Sequence, residues 1–367
     1  LALDVTDPTA TAGYHGPYPR LMWEFTNSRL GQTWSKPIFT KLKIRAGLGV
    51  GDRCGIDNGD GDCVEEWVAI FGAGYYPQGD PNLSTYTNDP NSGSYTTKGR
   101  GVFIVRVEDG TILGQLAQDP NSATYSKMRY AIPAEPAVLD LNFDGFADVV
   151  YIGDLGGQLW KWDLSAVGVP VSGVVPNSIW PAGVMFEAPV ATTAGGVLHY
   201  HSIFQSAAAA FNDRILVLSF ASGERANLGY RGQEDPNDPN DIVGLYADNN
   251  RFWVLKDRTP TGSGAFPVTA PAYEEPLWPA TVPLSGHGQL TDMTNAASDP
   301  NTTDDGYFFR VPDGEKFITN HLIFAGNVAT VSYTPDEPGA AASANCYIGG
   351  KTAEWAWSLD DGAASLV

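Results

Sequence analysis

An all-β fold is predicted by three observations on the 367-residue chain. Its 41 glycines and 26 prolines are spread throughout, so nearly every helical window is interrupted within eight to ten residues. Apolar runs of four to eight residues recur between turn signals, among them EWVAIFGAG, GVFIVRVEDG, ADVVYIGD, QLWKWDL, RILVLSF, IVGLYAD, RFWVLKD, HLIFAG, VATVSYT and AEWAWSLDDG. Charged residues make up only 17% and hydrophobic residues 43%, a globular composition rich in short strands. The one helix expected is a short one around Leu116–Met128, despite Pro120 within it.

The strands also come in pairs. An apolar strand that ends in a Gly or Asp turn is followed by an alternating strand that ends in an acid: VAIFGAGYY with GVFIVRVEDG, ADVVYIGD with QLWKWDL, RILVLSFASG with RFWVLKD, and LIFAGNVATVSY with AEWAWSLDDG. With a double interval allowed across Thr259–Asn320, this spacing corresponds to a blade of about 40 to 55 residues. A blade cannot bury both its faces alone, so successive blades must stack around an axis. A modified β-propeller of about seven blades is therefore expected, occupying residues 1–367 as a single domain with long loop insertions. Two unrelated β-sandwiches are the competing architecture. The opening LALDVTDP matches the second half of a pair, so the chain is expected to be the C-terminal part of a longer protein.

Three insertions, Pro77–Lys98, Glu224–Asp241 and Thr259–Pro283, are polar and are expected as surface loops. Asp-Pro-Asn occurs at Asp80, Asp89, Asp119, Asp235, Asp238 and Asp299, where the carboxylate is expected to bond its own downstream backbone. Trp160, Trp162, Trp355 and Trp357 fall at recurring strand positions and are assigned to packing between blades rather than to sugar stacking.

Charge narrows the function. Forty-two acids against 22 bases give a formal net charge of −20, which speaks against nucleic acid and for cations as partners. No apolar run approaches the roughly 20 residues of a membrane span. The motifs H-E-x-x-H, G-x-S-x-G and the phosphate-binding G-x-x-x-x-G-K-[ST] do not occur. GLGVGD at Gly47–Asp52 is followed by a Cys/Asp-rich turn where a phosphate site would need a helix, and is assigned to a loop. The chain is accordingly expected not to be an enzyme.

The residues that carry chemistry lie in AVLDLNFDGFADVVYIGDLGGQLWKWDL, Ala137 to Leu164. Asp140, Asn142 and Asp144 fill positions 1, 3 and 5 of a calcium-loop pattern, Gly145 position 6, the Phe146 carbonyl position 7 and Asp148 position 9. Three carboxylates within nine residues repel one another unless a cation lies between them, which favours calcium over a plain acidic turn. The twelfth position, where a helical loop supplies a bidentate Glu, is Tyr151. A strand follows here, so the coordination shell must be completed by Asp148 or by water. Calcium affinity is expected at about 10⁻⁶ to 10⁻⁴ M.

Cys54 and Cys63 flank GIDNGDGD, and a disulfide between them would close a ten-residue loop worth about 2.5 to 3 kcal/mol. Reduced thiols or a zinc site are the alternatives, although no second C-x-x-C pair supports zinc. Asp57, Asp60 and Asp62 between them mark either a hairpin tip or a second cation site, and Cys346 is left over. His199 and His201 share one strand face, without a third candidate ligand.

Taken together, LALDVTDP…PRLMWEF, LGQTWSKPIF, WVAIFGAGYY, the Ala137–Leu164 stretch and GEKFITNHLIFAGNVATVSYTP resemble the C-terminal propeller of the PilY/PilC-type proteins, type IV pilus assembly factors and tip-associated adhesins of bacteria. The segments run in family order along the whole chain. The resemblance implies one Ca2+ held by Asp140, Asn142, Asp144, Phe146 and Asp148, and occupancy tied to pilus extension and retraction. It also implies an extracellular place at the pilus tip or outer cell surface, with pilins or minor pilins, and a host or surface ligand, as partners. RILVLSFASGERANLGY departs from the usual glycine-rich form. Integrin-like FG-GAP repeats share the loop but carry several copies, and quinoprotein-like dehydrogenase propellers share the ALD…W ending. These two, and an adhesion module without an assembly role, remain the alternatives.

Overall fold

A computed structural model describes residues 1–5, 19–45, 63–192, 198–212, 215–226, 228, 249–261, 273–274, 290–294, 305–312, 314–336, 349–360 and 362–363. Among these, the regular secondary structure is nearly all strand, with two short 3-10 turns besides. The helix expected over Leu116–Met128 does not form. A strand, Ile112–Ala117, occupies its first part, and Asp119-Pro120-Asn121 then turns the chain, leaving a single 3-10 turn at Tyr125–Lys127. Proline removes the N–H that a continuing helix would need.

Four sheets of four or five strands follow one another along the chain. Sheet I comprises Ile38–Arg45, Cys63–Gly72, Gly101–Arg106 and Ile112–Ala117, each antiparallel to the next. Sheet II comprises Ala137–Leu139, Val149–Gly153, Gln158–Asp163 and Ala182–Glu187 in the same up-and-down order, with Tyr273–Glu274 added in parallel. Sheet III comprises Ala208–Asn212, Ile215–Ala221, Arg251–Asp257 and Gly306–Arg310, with Leu290–Asp292 parallel to the last. In sheet IV, Asn327–Pro335 pairs with Gly350–Ser358, Leu322–Phe324 and Lys316–Phe317. All four predicted strand pairs are therefore antiparallel neighbours. The expected count of seven blades is not confirmed: the first strands of the sheets start at residues 38, 137, 208 and 316, so each sheet with its loops takes more chain than the spacing suggested.

The sheets share cores in series, as blades do. Leu42, Ile44, Val68 and Ile104 of sheet I meet Val150, Ile152, Trp160 and Trp162 of sheet II. The opposite faces of the same sheet II strands, Val149, Tyr151 and Leu159, meet Leu218, Phe220, Trp253 and Leu255 of sheet III. Val217, Phe252 and Val254 then meet Phe317, Val328 and Trp357 of sheet IV. Buried on both faces, Val149–Gly153 has no polar face, which is why DVVYIG is a continuous apolar run. The tryptophans assigned to packing are there: Trp160, Trp162 and Trp357 are buried and Trp355 packs against the last core.

GQTWSKP fastens the segment that leads into sheet I. Gln32 and Tyr75 exchange backbone hydrogen bonds of 2.7 and 2.8 Å, and the Ser35 hydroxyl accepts from Gly72 N–H and donates to the Ala134 carbonyl. A Cβ at Gly74 would sit 2.0 Å from the Gln32 carbonyl oxygen, and φ there is +94°, so glycine is required. Asp80, Asp89 and Asp119 each accept the N–H two residues on, as expected of Asp-Pro-Asn turns; the other three copies lie outside the described residues. The Pro77–Lys98 insertion is more anchored than a polar surface loop: Asp80 is buried and accepts the Tyr75 hydroxyl, and buried Arg100 donates to the carbonyls of Gln78 and Thr87.

Candidate metal centre

The loop from Asp140 to Asp148 joins the first two strands of sheet II. Asp140 accepts Asp144 N–H at 3.2 Å on one carboxylate oxygen and Gly145 N–H at 2.7 Å on the other. The Asn142 side-chain oxygen accepts Asp144 N–H at 2.9 Å, and Asp144 Oδ1 accepts Phe146 N–H at 3.0 Å. Asp148 closes the loop by accepting Leu141 N–H at 2.8 Å. Phe143 and Gly145 take positive φ values of 60° and 89°, which curl the chain so that its carboxylates turn inward. The five predicted donor residues thus lie on one nine-residue turn, with the side-chain oxygens of Asp140, Asn142, Asp144 and Asp148 taken up by its backbone N–H groups.

Electrostatics at the loop are uneven. Burial pushes the Asp148 carboxyl above its ordinary range, and the charge of Asp144 adds to that push. Burial acts the same way on Asp144, but there the Lys43 ammonium and the Phe146 N–H outweigh it and hold the carboxyl below the usual range. Lys43 Nζ lies 2.6 Å from Asp144 Oδ2, across 101 residues of sequence. Among the described residues, no group of three or more His, Cys, Asp or Glu side chains is arranged to hold a metal ion. The loop carboxylates face backbone N–H groups and Lys43 instead. The donor set itself is all hard oxygen, three carboxylates with an amide and a carbonyl, which fits calcium in kind. Tyr151 takes no part: its hydroxyl donates to Asp257 at 2.6 Å on the far face of sheet II.

Phe146 anchors the loop. Its ring is buried against Cys63 and Val167, and Lys41 and Lys43 place their ammonium groups 5.0 and 5.2 Å from its centroid. The backbone is tied to sheet I by Ala147 N–H to the Lys41 carbonyl at 2.9 Å. The surface at this anchor is charged, with Lys41 bonded to Glu65 and Lys43 to Asp144, and Lys41 Nζ also lies 6.0 Å from the centroid of Trp67; Phe143 of the loop is 82% exposed, and Phe39 and Trp67 of sheet I are 62% and 56% exposed. Sequence reasoning overlooked Lys41, Lys43 and these aromatics. The only signal was the alternation in FTKLKIR, which places Phe39, Lys41 and Lys43 on one strand face.

The remaining candidates divide. Cys63 begins the second strand of sheet I and is buried beside Phe146, which sets one end of the expected disulfide next to the loop. Cys54, Cys346, Asp57, Asp60, Asp62 and GLGVGD lie outside the described residues. His199 and His201 do come together, with ring centroids 5.5 Å apart, but beside a guanidinium: Arg251 Nη1 is 2.6 Å from His201 Nε2. Burial, together with the charges of Arg251 and Lys316, lowers His199 to about 4. A site that already repels protons is a poor one for a metal cation.

No family model matches the chain. It is 27% identical over 394 aligned residues to a type IV pilus biogenesis factor PilY1 homolog of Xylella fastidiosa, an alignment that covers all of this chain and 21% of that protein. It is 26% identical over 166 residues to the type IV pilus biogenesis factor PilY1 of Pseudomonas aeruginosa, covering 44% of this chain and 10% of the relative. The fold is similar to that of the crystal structure of the Pseudomonas aeruginosa PilY1 C-terminal domain, with a TM-score of 0.54 at 16% identity over 98% of this chain and 64% of that one. The chain is thus homologous to the C-terminal region of PilY1 and spans only a small part of the relatives' length.

Proposed function

We propose that this chain is a calcium-binding, non-enzymatic propeller that serves type IV pilus biogenesis from outside the cell, at the pilus tip or outer surface. The observation that carries the pilus reading is the alignment with a type IV pilus biogenesis factor along the full chain. Its relatives' names as biogenesis factors support a binding role over catalysis. No helix among the described residues is long and apolar enough to cross a membrane, in keeping with that placement.

Asp140, Asn142, Asp144, the Phe146 carbonyl and Asp148 would hold the ion. Bound there, calcium supplies the positive charge that three carboxylates on one short turn lack. The loop then presents a rigid edge that carries exposed Phe143, and sheet I, to which Lys43 ties the loop, carries exposed Phe39 and Trp67. Exposed aromatics suit a protein partner, and a pilin or minor pilin is the partner assigned to them. A disulfide from Cys63 to Cys54 would brace the same corner through Phe146.

Calorimetry tests the metal: calcium binds the parent chain and does not bind Asp144→Ala. Equal binding by the two removes the assigned site. Deletion in a piliated bacterium that carries the gene tests the biology, with loss of surface pili expected. Normal pili with lost attachment would instead support the adhesion reading, in which a host or surface ligand replaces the pilin.

A further inference from the structure

Lys43 is placed as a cation would be. Asp144 engages Phe146 N–H through Oδ1, and its other oxygen, Oδ2, faces the Lys43 ammonium at 2.6 Å. Two features hold the lysine there. Its strand is pinned on both sides of the loop, by Ala147 N–H to the Lys41 carbonyl and by Gly168 N–H to the Lys43 carbonyl at 2.8 Å. Its ammonium also lies over the Phe146 ring, the side chain of the residue whose carbonyl is a predicted ligand. The nearby Lys41 differs in one respect. It carries the same charge over the same ring, but its ammonium bonds Glu65 at 2.8 Å, on its own sheet.

We propose that Lys43 is a tethered competitor for the cation position of the 140–148 loop, so that calcium entry requires its ammonium to leave Asp144 Oδ2. The proposal rests on the calcium reading above and adds how that site is regulated. Calcium bonds carboxylate oxygens at about 2.3 to 2.6 Å. An ammonium at hydrogen-bond distance from the same oxygen would then lie within a few ångströms of a divalent ion, and the two charges repel. Ion occupancy and the Lys43–Asp144 bond therefore exclude each other, while Ala147 N–H on the Lys41 carbonyl and the Phe146 ring beside Cys63 keep the loop on sheet I in either state. Lys43 bonds Asp144 when calcium is scarce and gives up that one bond when calcium is abundant. The competition also weakens apparent affinity, which moves the response toward the higher calcium levels found outside cells.

Calcium titration calorimetry on the parent chain and four variants tests this. Lys43→Met is expected to bind calcium about three- to fivefold more tightly than the parent, the upper part of the range for loss of a partly exposed ion-pair competitor. Lys41→Met, which removes an equal charge at the same ring, is expected to change affinity less than about twofold. Lys43→Arg should stay near the parent, and Asp144→Ala should not bind. With a chelator present, Lys43→Met should melt below the parent, and added calcium should raise its melting temperature by more. If Lys43→Met binds no more tightly than Lys41→Met, only the general field matters and the competition is overturned. If the parent does not bind, or Asp144→Ala binds as the parent does, the calcium reading itself falls and the competition falls with it.

Discussion

Two lysine–aspartate pairs flank sheet II, alike in length and unlike in setting. Toward sheet III, Lys161 Nζ lies 2.7 Å from Asp257 Oδ2 with side chains 7% and 4% exposed, and the Tyr151 hydroxyl donates to the same oxygen. Toward sheet I, Lys43 and Asp144 are 2.6 Å apart with side chains 10% and 23% exposed, on a loop whose tip stands in solvent. Contact distance does not separate them; access to water does. The first pair is sealed beneath the Leu159–Phe220–Trp253 core and acts as a fixed pin between sheets. The second lies where solvent reaches it, as the proposed exchange of Lys43 for calcium requires.

The largest effect is expected at the sealed pin. Lys161→Met leaves Asp257 buried with its charge uncompensated, and chemical denaturation should show a loss of about 3 to 5 kcal/mol. A loss below about 1 kcal/mol would mean that water reaches the pair, and the contrast between the two seams would disappear.

Next is the seam between sheets III and IV. His321 stacks on Phe252 at 5.0 Å, contacts Phe317 and bonds the Ser219 hydroxyl at 2.7 Å. Burial lowers its pKa to about 3. A histidine held neutral in the fold but free to protonate when unfolded stabilises the protein fully above the unfolded value of about 6.5, and that stability is lost as pH falls toward 3. The slope is at most about 1.4 kcal/mol per pH unit. Denaturation series between pH 7 and 5 should show it, and His321→Gln should flatten it. An unchanged slope in that variant would show that the seam admits water.

Smaller still is the half-open pair. Without calcium, Lys43→Met should cost no more than about 1 kcal/mol of stability, after allowance for solvent screening. A cost near that of Lys161→Met would make Lys43 a structural pin rather than an exchangeable one. The smallest change is expected of Lys36→Ala, whose bond to Glu135 at 3.4 Å is largely in solvent; it should stay within about 0.5 kcal/mol. Any larger shift would mean that exposure is a poor guide to these pairs.

Local chemistry was legible wherever the interaction spans few residues. The Asp140–Asp148 turn closes through bonds two to seven residues apart, so its curl follows from residue types and spacing. The Asp-Pro-Asn turns at Asp80, Asp89 and Asp119 follow for the same reason. Strand pairs such as Val149–Gly153 with Gln158–Asp163 were readable because a short turn leaves antiparallel pairing as the only compact outcome. The reading failed where a local rule met a competitor. Around Leu116–Met128, pairing of Ile112–Ala117 with Gly101–Arg106 and the turn at Pro120 displaced the expected helix. The blade count is not confirmed among the described residues, where insertions lengthen the chain between strands without altering their order.

The sequence alone determined that this protein is built of paired strands, that the tryptophans belong to the packing, and that the chain curls between Asp140 and Asp148. Periodicity and short-range hydrogen bonding act within a few residues of each other, and nothing distant is needed to specify them. Only the tertiary structure decided what faces that turn. Lys43 reaches Asp144 across 101 residues because sheets I and II pack through a shared core, and the same packing sets Lys41 over the Phe146 ring. A charge on a strand face looks like ordinary solvated surface until the neighbouring sheet supplies the carboxylate opposite it.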